Sequence, residues 1–225
     1  MLKTPQRLTV GAGAGENAAQ PIAVTLPKWI SPEPLNANEQ SCAEALATDL
    51  DNNKPLVIAL REMANRRRVE QRAFAAQCLA LLDDFEPLVS MFGDATQKPM
   101  WQGDKGEIAT AKAALTRGPD TAAKVREAFQ KSHGDEAGRQ LYRMLLGYTK
   151  EQLQNGEAEI LVSALDNDNL DYRVLAFAAL QEITGGKTHL YRPDSTAAQR
   201  ATPVRLWKQD QAGGTIVPKE APAQK

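Results

Sequence analysis

Three segments of the sequence begin in the same way, and this recurrence constrains the fold more than any other feature. They read VEQRAFAAQCLALL, EAGRQLYRMLLGYT and LDYRVLAFAALQEI, and each follows a shorter apolar helical pattern and a polar turn. Their early arginines, Arg72, Arg139 and Arg173, lie 67 and 34 residues apart, so the first spacing is close to twice the second. Gly106 occupies the intervening position, so the repeat is approximate. This layout predicts helix pairs that bury their apolar faces by stacking on one another.

Helical patterns fill the sequence from residue 38 almost to its end. Aromatic residues make up only 5% of the chain, whereas alanine and leucine are abundant, and this composition favours helices packed through small contacts. No strand pattern longer than a few residues interrupts these helices. The sequence therefore predicts an all-α domain over residues 38–210.

The two ends of the chain differ from this helical part. Residues 1–37 contain GAGAG and closely spaced prolines, which oppose regular helix. We interpret them as a linker or the remnant of an upstream domain, largely irregular, with short strands predicted at 7–10 and 22–26. Residues 211–225 are predicted to form a flexible tail.

The recurring arginine has a structural explanation. In the first turn of the second helix of a pair, an arginine packs its stem on the apolar layer. Its planar donors then reach carbonyls at the end of the preceding helix or a turn carboxylate of the adjacent repeat. We therefore expect Arg72, Arg139 and Arg173 to form a ladder that fixes the geometry between repeats, with Asp171 as a further member in the last copy. Binding of a ligand by these arginines is the alternative.

Four segments form a further pattern: RRRVEQRAFAAQCL (66–79), LYRMLLGYTKEQ (141–152), LDYRVLAFAALQEITGGKTHLYRPD (170–194) and RATPVRLW (200–207). Together they resemble HEAT-like, armadillo-type helical repeat modules of the kind found in uncharacterised bacterial proteins. The resemblance implies a HEAT-like α-α solenoid, a right-handed superhelix of helix pairs, closed by a cap that contains Tyr191 and Trp207. It also implies a place at the C-terminal end of a longer regulatory or envelope-associated chain. Pro203 lies where the interior of the closing helix is expected, and predicts a kink or a restart capped by Thr202.

The sequence contains no group of residues that is typical of catalysis or of metal binding. In the DNDNLD turn, Leu170 and Asp171 stand where a calcium loop needs an oxygen ligand and a glycine. The two histidines and two cysteines lack the spacing of a zinc site. No GxSxG nucleophile motif is present. We therefore expect no enzymatic activity, no metal site and no cofactor.

One basic run, NRRRVEQR, is the candidate binding edge. Arg66, Arg67 and Arg68 fall in a turn between two predicted helices, where they meet either solvent or an acidic partner. The net charge of −1 argues against a dedicated nucleic-acid binder, which usually has a marked excess of basic residues. Nucleic-acid binding through a basic face is the alternative, and that face would also draw on Arg61, Arg126 and Arg143.

These observations predict a non-catalytic scaffold that binds another protein, or other domains of the same parent chain. The alternative is a nucleic-acid-binding HEAT-like protein that uses the basic face around Arg66, Arg67 and Arg68. The sequence shows neither a signal-peptide pattern at its start nor an apolar run of the about 20 residues that a membrane-spanning helix needs. We therefore expect no membrane insertion, and a location in the cytoplasm or in the soluble part of a membrane-associated protein.

Overall fold

The structure of the chain, a computed structural model, divides into two compact units, Met1–Pro34 and Leu35–Lys225. It describes residues 6–7, 20–21, 53–103 and 105–218, and scattered positions between 37 and 50. In the second unit, the described positions from 37 to 49 are helical, in agreement with the helix that the sequence predicts there.

The described part of the first unit is one pair of short strands. Strand β1, Gln6–Arg7, pairs antiparallel with β2, Gln20–Pro21, so that Gln6 lies opposite Pro21 and Arg7 opposite Gln20. Of the strands predicted at 7–10 and 22–26, only Arg7 is among the described residues. The rest of both predictions lies outside them.

The second unit is mostly helical, which confirms the predicted all-α class. No strand occurs among its described residues, and none of its described helices has the length and apolar character needed to cross a membrane. Two single turns of 3-10 helix, Met91–Gly93 and Ala95–Gln97, follow α3, and a π-helical segment, Leu153–Glu157, joins α8 to α9. The helices are α1 Leu56–Met63, α2 Val69–Leu81, α3 Glu86–Ser90, α4 Lys98–Trp101, α5 Glu107–Leu115, α6 Pro119–His133, α7 Asp135–Leu145, α8 Lys150–Gln152, α9 Ala158–Ala164, α10 Leu170–Thr184 and α11 Ala197–Ala212.

Local sequence signals set several helix boundaries. The hydroxyls of Thr149 and Thr196 each accept a hydrogen bond from the backbone N–H three residues later. In return, the threonine N–H groups donate to Oε1 of Gln152 and of Gln199. Gly185 ends α10 in the left-handed region, at a φ of 68°. Because these signals lie within a few residues of each boundary, they can be recognised in the sequence itself.

Helix α11 excludes one of the two outcomes predicted for Pro203, the restart capped by Thr202. The helix begins at Ala197 and continues through Pro203 to Ala212, so no new helix starts at Thr202. The cap at Thr196 has already started the helix six residues earlier, and within an established helix a proline removes one backbone donor. The tail predicted from residue 211 also begins inside this helix. Beyond it, Ile216 is buried against the core.

Helices that follow one another in sequence pack as pairs. Helix α1 contacts α2, α6 contacts α7, and α9 contacts α10. Further contacts join the pairs, since α2 packs on α5, α7 on α10 and α9 on α11. One continuous apolar core runs through these contacts. In it, the rings of Phe92 and Phe129 stack with their centroids 6.1 Å apart.

The contact between α6 and α7 is unusually close. Only Gly134 separates the two helices, and its φ of 82° lies in the region that favours glycine. A Cβ atom on Gly138 would lie 2.5 Å from the Cα atom of Gln130 and 2.7 Å from the carbonyl carbon of Phe129. The missing side chain of Gly138 therefore sets the distance between the two helices.

Candidate functional site

The predicted binding edge lies at the turn between α1 and α2. Arg66 is engaged there, because its Nη1 atom lies 3.3 Å from Oδ2 of Asp49. Arg67 and Arg68 are exposed, and neither makes a hydrogen bond or an ion pair within the described part of the chain. The edge therefore presents two guanidinium groups to solvent, where three were predicted.

The other arginines of the nucleic-acid alternative are largely committed to contacts within the chain. Arg61 Nε lies 2.5 Å from Oδ2 of Asp84, and this hydrogen bond raises the pKa of Arg61. Arg143 donates to the carbonyl of Gly147 at 2.6 Å and lies over the ring of Tyr148, 4.0 Å from its centroid. Arg126 is exposed. Two of these three arginines are thus held by neighbouring groups of the chain.

Arg72 makes a contact of the predicted ladder type. Its Nη2 atom pairs with the carboxylate of Asp94, and its Nη1 atom donates to Oγ1 of Thr96 at 3.4 Å. Burial alone would raise the pKa of Asp94, but the hydrogen bonds from Thr96 and Arg72 outweigh it and hold that pKa below its usual value. Arg72 therefore ties α2 to the 3-10 turns that follow α3.

Arg173 is the most fully bonded member of the predicted ladder. The residue is buried, its Nε atom donates to the carbonyl of Pro193 at 2.8 Å, and its Nη1 atom donates to the carbonyls of Asn167 at 2.5 Å and Asp168 at 2.7 Å. It thereby joins the turn before α10 to the loop before α11. The physical argument expected carbonyls at the end of the preceding helix or a turn carboxylate. The carbonyls that Arg173 binds lie in the turn after that helix and in the loop before α11.

Arg139 is not a rung of the ladder, which corrects that prediction. Its side chain is 59% exposed and pairs with Glu136 of the same helix at 2.8 Å. Gly138 faces α6, and the next residue of an α-helix points about 100° further round the axis. The close contact of α6 and α7 therefore turns Arg139 towards solvent.

Asp171 joins two helix pairs, but its partner is a histidine. Oδ2 of the buried Asp171 lies 3.2 Å from Nδ1 of His133, the last residue of α6. The His133 ring in turn lies against Phe129, with the centroids 6.3 Å apart. The sequence predicted Asp171 as a member of the ladder and gave His133 no part in it. The pairing depends on how α6 meets α10, which no local pattern encodes.

Tyr191 and Trp207 occupy the closing cap, and both are buried. The Tyr191 hydroxyl donates to the carbonyl of Leu165 at 2.5 Å, and its ring lies 5.0 Å from that of Phe177. Burial raises the pKa of Tyr191 above its usual value. His189 meets the fully buried Trp207 edge-on, with the ring centroids 4.9 Å apart. The cap is thus anchored at two points along the loop between α10 and α11.

Replacing Arg173 with methionine should lower the free energy of unfolding by about 2–3 kcal/mol, because three backbone carbonyls lose their donor and the carbonyl of the buried Pro193 is among them. The matched control is Arg139→Met, which should change that free energy by less than about 0.5 kcal/mol because its ion pair is exposed. Urea unfolding of both variants measures the difference. Equal effects of the two substitutions would contradict the structural role of Arg173.

A groove between α7, α9 and α10 is a candidate binding site. Its volume is about 330 Å³. Met144 is buried, whereas Ile160 is 55% exposed, so the groove offers apolar surface to solvent. The hydroxyl of Tyr172 donates to Oε1 of Gln140 at 3.0 Å and so fixes one wall. The residues that line the groove are Gln140, Met144, Glu159, Ile160, Ser163, Ala164, Asn167 and Tyr172.

The lining of this groove suits a peptide segment. Apolar side chains alternate with amide and hydroxyl groups that can bond a backbone, and Glu159 is the one charged residue among them. Ligand sites commonly combine an apolar surface with a few polar groups in this way. The groove was not predicted, although the sequence holds a signal for it. Ile160, Leu161 and Val162 are consecutive, and three neighbouring positions of a helix cannot all face one core.

A second feature that the sequence did not predict is a buried acid. Glu107, at the start of α5, is fully buried, and neither carboxylate oxygen has a hydrogen-bond partner within the described residues. The pKa of Glu107 is raised to about 8, mainly by burial. The positive charge of Arg72 lowers this pKa and the negative charge of Asp94 raises it, but both effects are smaller than that of burial. At neutral pH this side chain is therefore mostly protonated. Gln97 is also fully buried, and its side-chain amide likewise has no hydrogen-bond partner within the described residues.

No group of three or more His, Cys, Asp or Glu side chains comes together as a metal site within the described part of the chain. Comparisons of this chain with protein-family models, with curated protein sequences and with solved structures gave no match.

Proposed function

We propose that the chain is a non-catalytic protein-binding module, and that the groove between α7, α9 and α10 holds a segment of its partner. The partner is another protein or another domain of the parent chain. The observation that carries this proposal is Ile160, which is half exposed beside the buried Met144 in a groove whose wall the Tyr172–Gln140 hydrogen bond fixes. An exposed apolar side chain in a preformed groove is an anchor for a partner's side chain.

For the architecture we propose a HEAT-like solenoid, a right-handed superhelix of helix pairs. Support comes from the pairs α1 with α2, α6 with α7 and α9 with α10, and from the contacts that join one pair to the next. In such repeat proteins each pair contacts mainly its neighbours, and the surface that they build together binds the partner. The location in the cytoplasm, or in the soluble part of a membrane-associated protein, stays a prediction.

The size of the groove limits what it binds. A volume of about 330 Å³ accommodates a few side chains and not a folded domain. The partner therefore inserts a short segment, and most of the affinity comes from one or two apolar side chains on Ile160 and Met144. The glutamate in the groove, Glu159, favours a segment that also carries a basic residue.

A photoreactive amino acid at position 160 should capture the partner in cells, whereas the same group at position 123 should not. Ala123 is a suitable control because it is exposed on α6, which does not line the groove. The captured protein should then bind Ile160→Glu at least about tenfold more weakly than the wild type in a calorimetric titration. Capture with equal yield at both positions, or unchanged affinity of the variant, would rule out the groove as the binding site.

Nucleic-acid binding remains the second candidate, because Arg67 and Arg68 are exposed and unpaired within the described residues. It requires binding of a DNA or RNA duplex that weakens as the salt concentration rises. Fluorescence anisotropy at about 50 mM salt measures it, with Arg67→Glu/Arg68→Glu as the matched variant. Absence of binding by the wild type at that salt concentration removes this candidate.

A further inference from the structure

The loop before α11 holds one large apolar side chain in solvent. Leu190 is 89% exposed. His189 and Leu190 both have positive φ angles, 48° and 58°, in the left-handed region that residues other than glycine rarely adopt. Such a conformation persists only where the surrounding structure enforces it, and it is characteristic of functional positions.

Contacts on both sides of Leu190 enforce this conformation. Before it, His189 Nε2 lies 2.6 Å from Oδ2 of Asp210, and the histidine ring contacts the buried Trp207. After it, the buried Tyr191 donates its hydroxyl to the carbonyl of Leu165. The Leu190 N–H donates to Oγ1 of Thr188 at 3.2 Å. Leu190 therefore stands on a fixed support, and binding through it requires little ordering of the backbone.

The groove between α7, α9 and α10 has the complementary chemistry. It presents Met144 and Ile160 to an apolar side chain, and Glu159 is the charged residue of its lining. Arg192 follows Leu190 by two residues and is exposed. A leucine followed closely by an arginine therefore matches an apolar groove that carries a glutamate.

From this match we infer that the partner of the groove is a second copy of the chain, which inserts its Leu190 loop. Leu190 of one copy packs on Ile160 and Met144 of the other, and Arg192 pairs with Glu159. The two surfaces are different parts of the molecule, so the contact is heterologous. This inference rests on the proposed function of the groove and specifies its occupant.

Two single variants separate the halves of this contact. Leu190→Asp removes the inserted side chain, and Ile160→Glu removes the receiving surface. Both positions are largely exposed, so neither substitution disturbs the core, which a thermal melt of each variant checks. Sedimentation equilibrium should give an average mass for the wild type that rises with concentration from 24.5 kDa, whereas each variant alone remains at that mass.

An equimolar mixture of the two variants is the decisive sample. Each variant retains the half that the other lacks, so the mixture should form a one-to-one complex of twice the monomer mass that grows no further. The double variant Arg192→Glu/Glu159→Arg should associate through an ion pair of reversed polarity, whereas Arg192→Glu alone should associate at least about tenfold more weakly than the wild type.

Three results would overturn the inference. They are a wild type that stays monomeric up to about 1 mM, single variants that associate as strongly as the wild type, and a mixture that forms no complex. A different result would contradict the proposed function of the groove. A monomeric wild type that still captures another protein at position 160 removes self-association and keeps the groove as a binding site, whereas equal capture at position 123 removes the groove itself.

Discussion

Replacing Gly138 with alanine should lower the free energy of unfolding by about 3 kcal/mol or prevent the helical unit from folding. The new methyl group would lie 2.5 Å from the Cα atom of Gln130 and 2.6 Å from its backbone nitrogen. Backbone atoms cannot turn aside as a flexible side chain can, so α6 and α7 must move apart. This separation opens the packing around the fully buried Phe129.

The result is informative because alanine otherwise favours a helix over glycine by about 1 kcal/mol. The helix propensity of the new residue therefore acts against the expected loss of stability. The matched control is Gly93→Ala, where a Cβ atom meets nothing within 4 Å. Its free energy of unfolding should stay within about 1 kcal/mol of the wild type. Urea unfolding followed by circular dichroism measures both variants, and a Gly138→Ala protein as stable as Gly93→Ala would contradict the close contact of α6 and α7.

Replacing Glu107 with glutamine should stabilise the protein at neutral and alkaline pH. The pKa of Glu107 in the folded protein is about 8, above its ordinary value of 4.5, because burial disfavours the charged carboxylate. The folded state therefore keeps a proton that the unfolded state has released. The part of the free energy of unfolding that depends on protonated Glu107 is fully present below pH 4.5. It is lost as the pH rises through 8.

The expected gain for Glu107→Gln follows from this linkage. At pH 7 the variant should unfold with a free energy about 3 kcal/mol higher than the wild type, and near pH 4 the two should be nearly equal. Glutamine keeps the shape of the protonated acid and cannot ionise, so the difference isolates this one group. Glu136→Gln is the matched control, because Glu136 is exposed and its hydrogen bond from Arg139 lowers its pKa.

Urea titrations at several pH values between about 4 and 9 test this prediction. The difference between Glu107→Gln and the wild type should grow with pH, whereas Glu136→Gln should show no such increase. Charged groups that face Glu107 are Arg72 and Asp94, which already pair with each other. A difference that stays constant across this range would show that Glu107 is ionised in the folded protein.

The sequence predicts the helices well because their signals are local. The capping residues Thr149 and Thr196 and the terminal Gly185 stand next to the boundaries that they set. The contacts of Arg173 with the turn before its own helix are local in the same sense. Its partners at Asn167 and Asp168 lie only five or six residues away, so sequence spacing contains most of the geometry.

Features that depend on contacts between distant helices could not be predicted in this way. Arg139 matches Arg173 in the repeat, but the close approach of α6 to α7 at Gly138 turns it to solvent. Glu107 looks like an ordinary acid at a helix start until α2 and the segment after α3 cover it. From the sequence, Ile160 looks like a core residue, but in the structure it lies in the groove and is exposed. Each of these outcomes depends on which helices meet, and a one-dimensional pattern does not specify that.

The claim that the groove between α7, α9 and α10 is the binding site is tested most directly by methyl NMR. The labelled wild-type chain is titrated with the protein that co-purifies with it, or with the unlabelled chain if none does. The account predicts that the methyl signals of Met144 and Ile160 shift in proportion to binding, while that of Met63, buried in α1, stays in place. Shifts confined to Met63 and to Ile58 of α1, with Met144 and Ile160 unchanged, would contradict it and place the binding surface on the first helix pair.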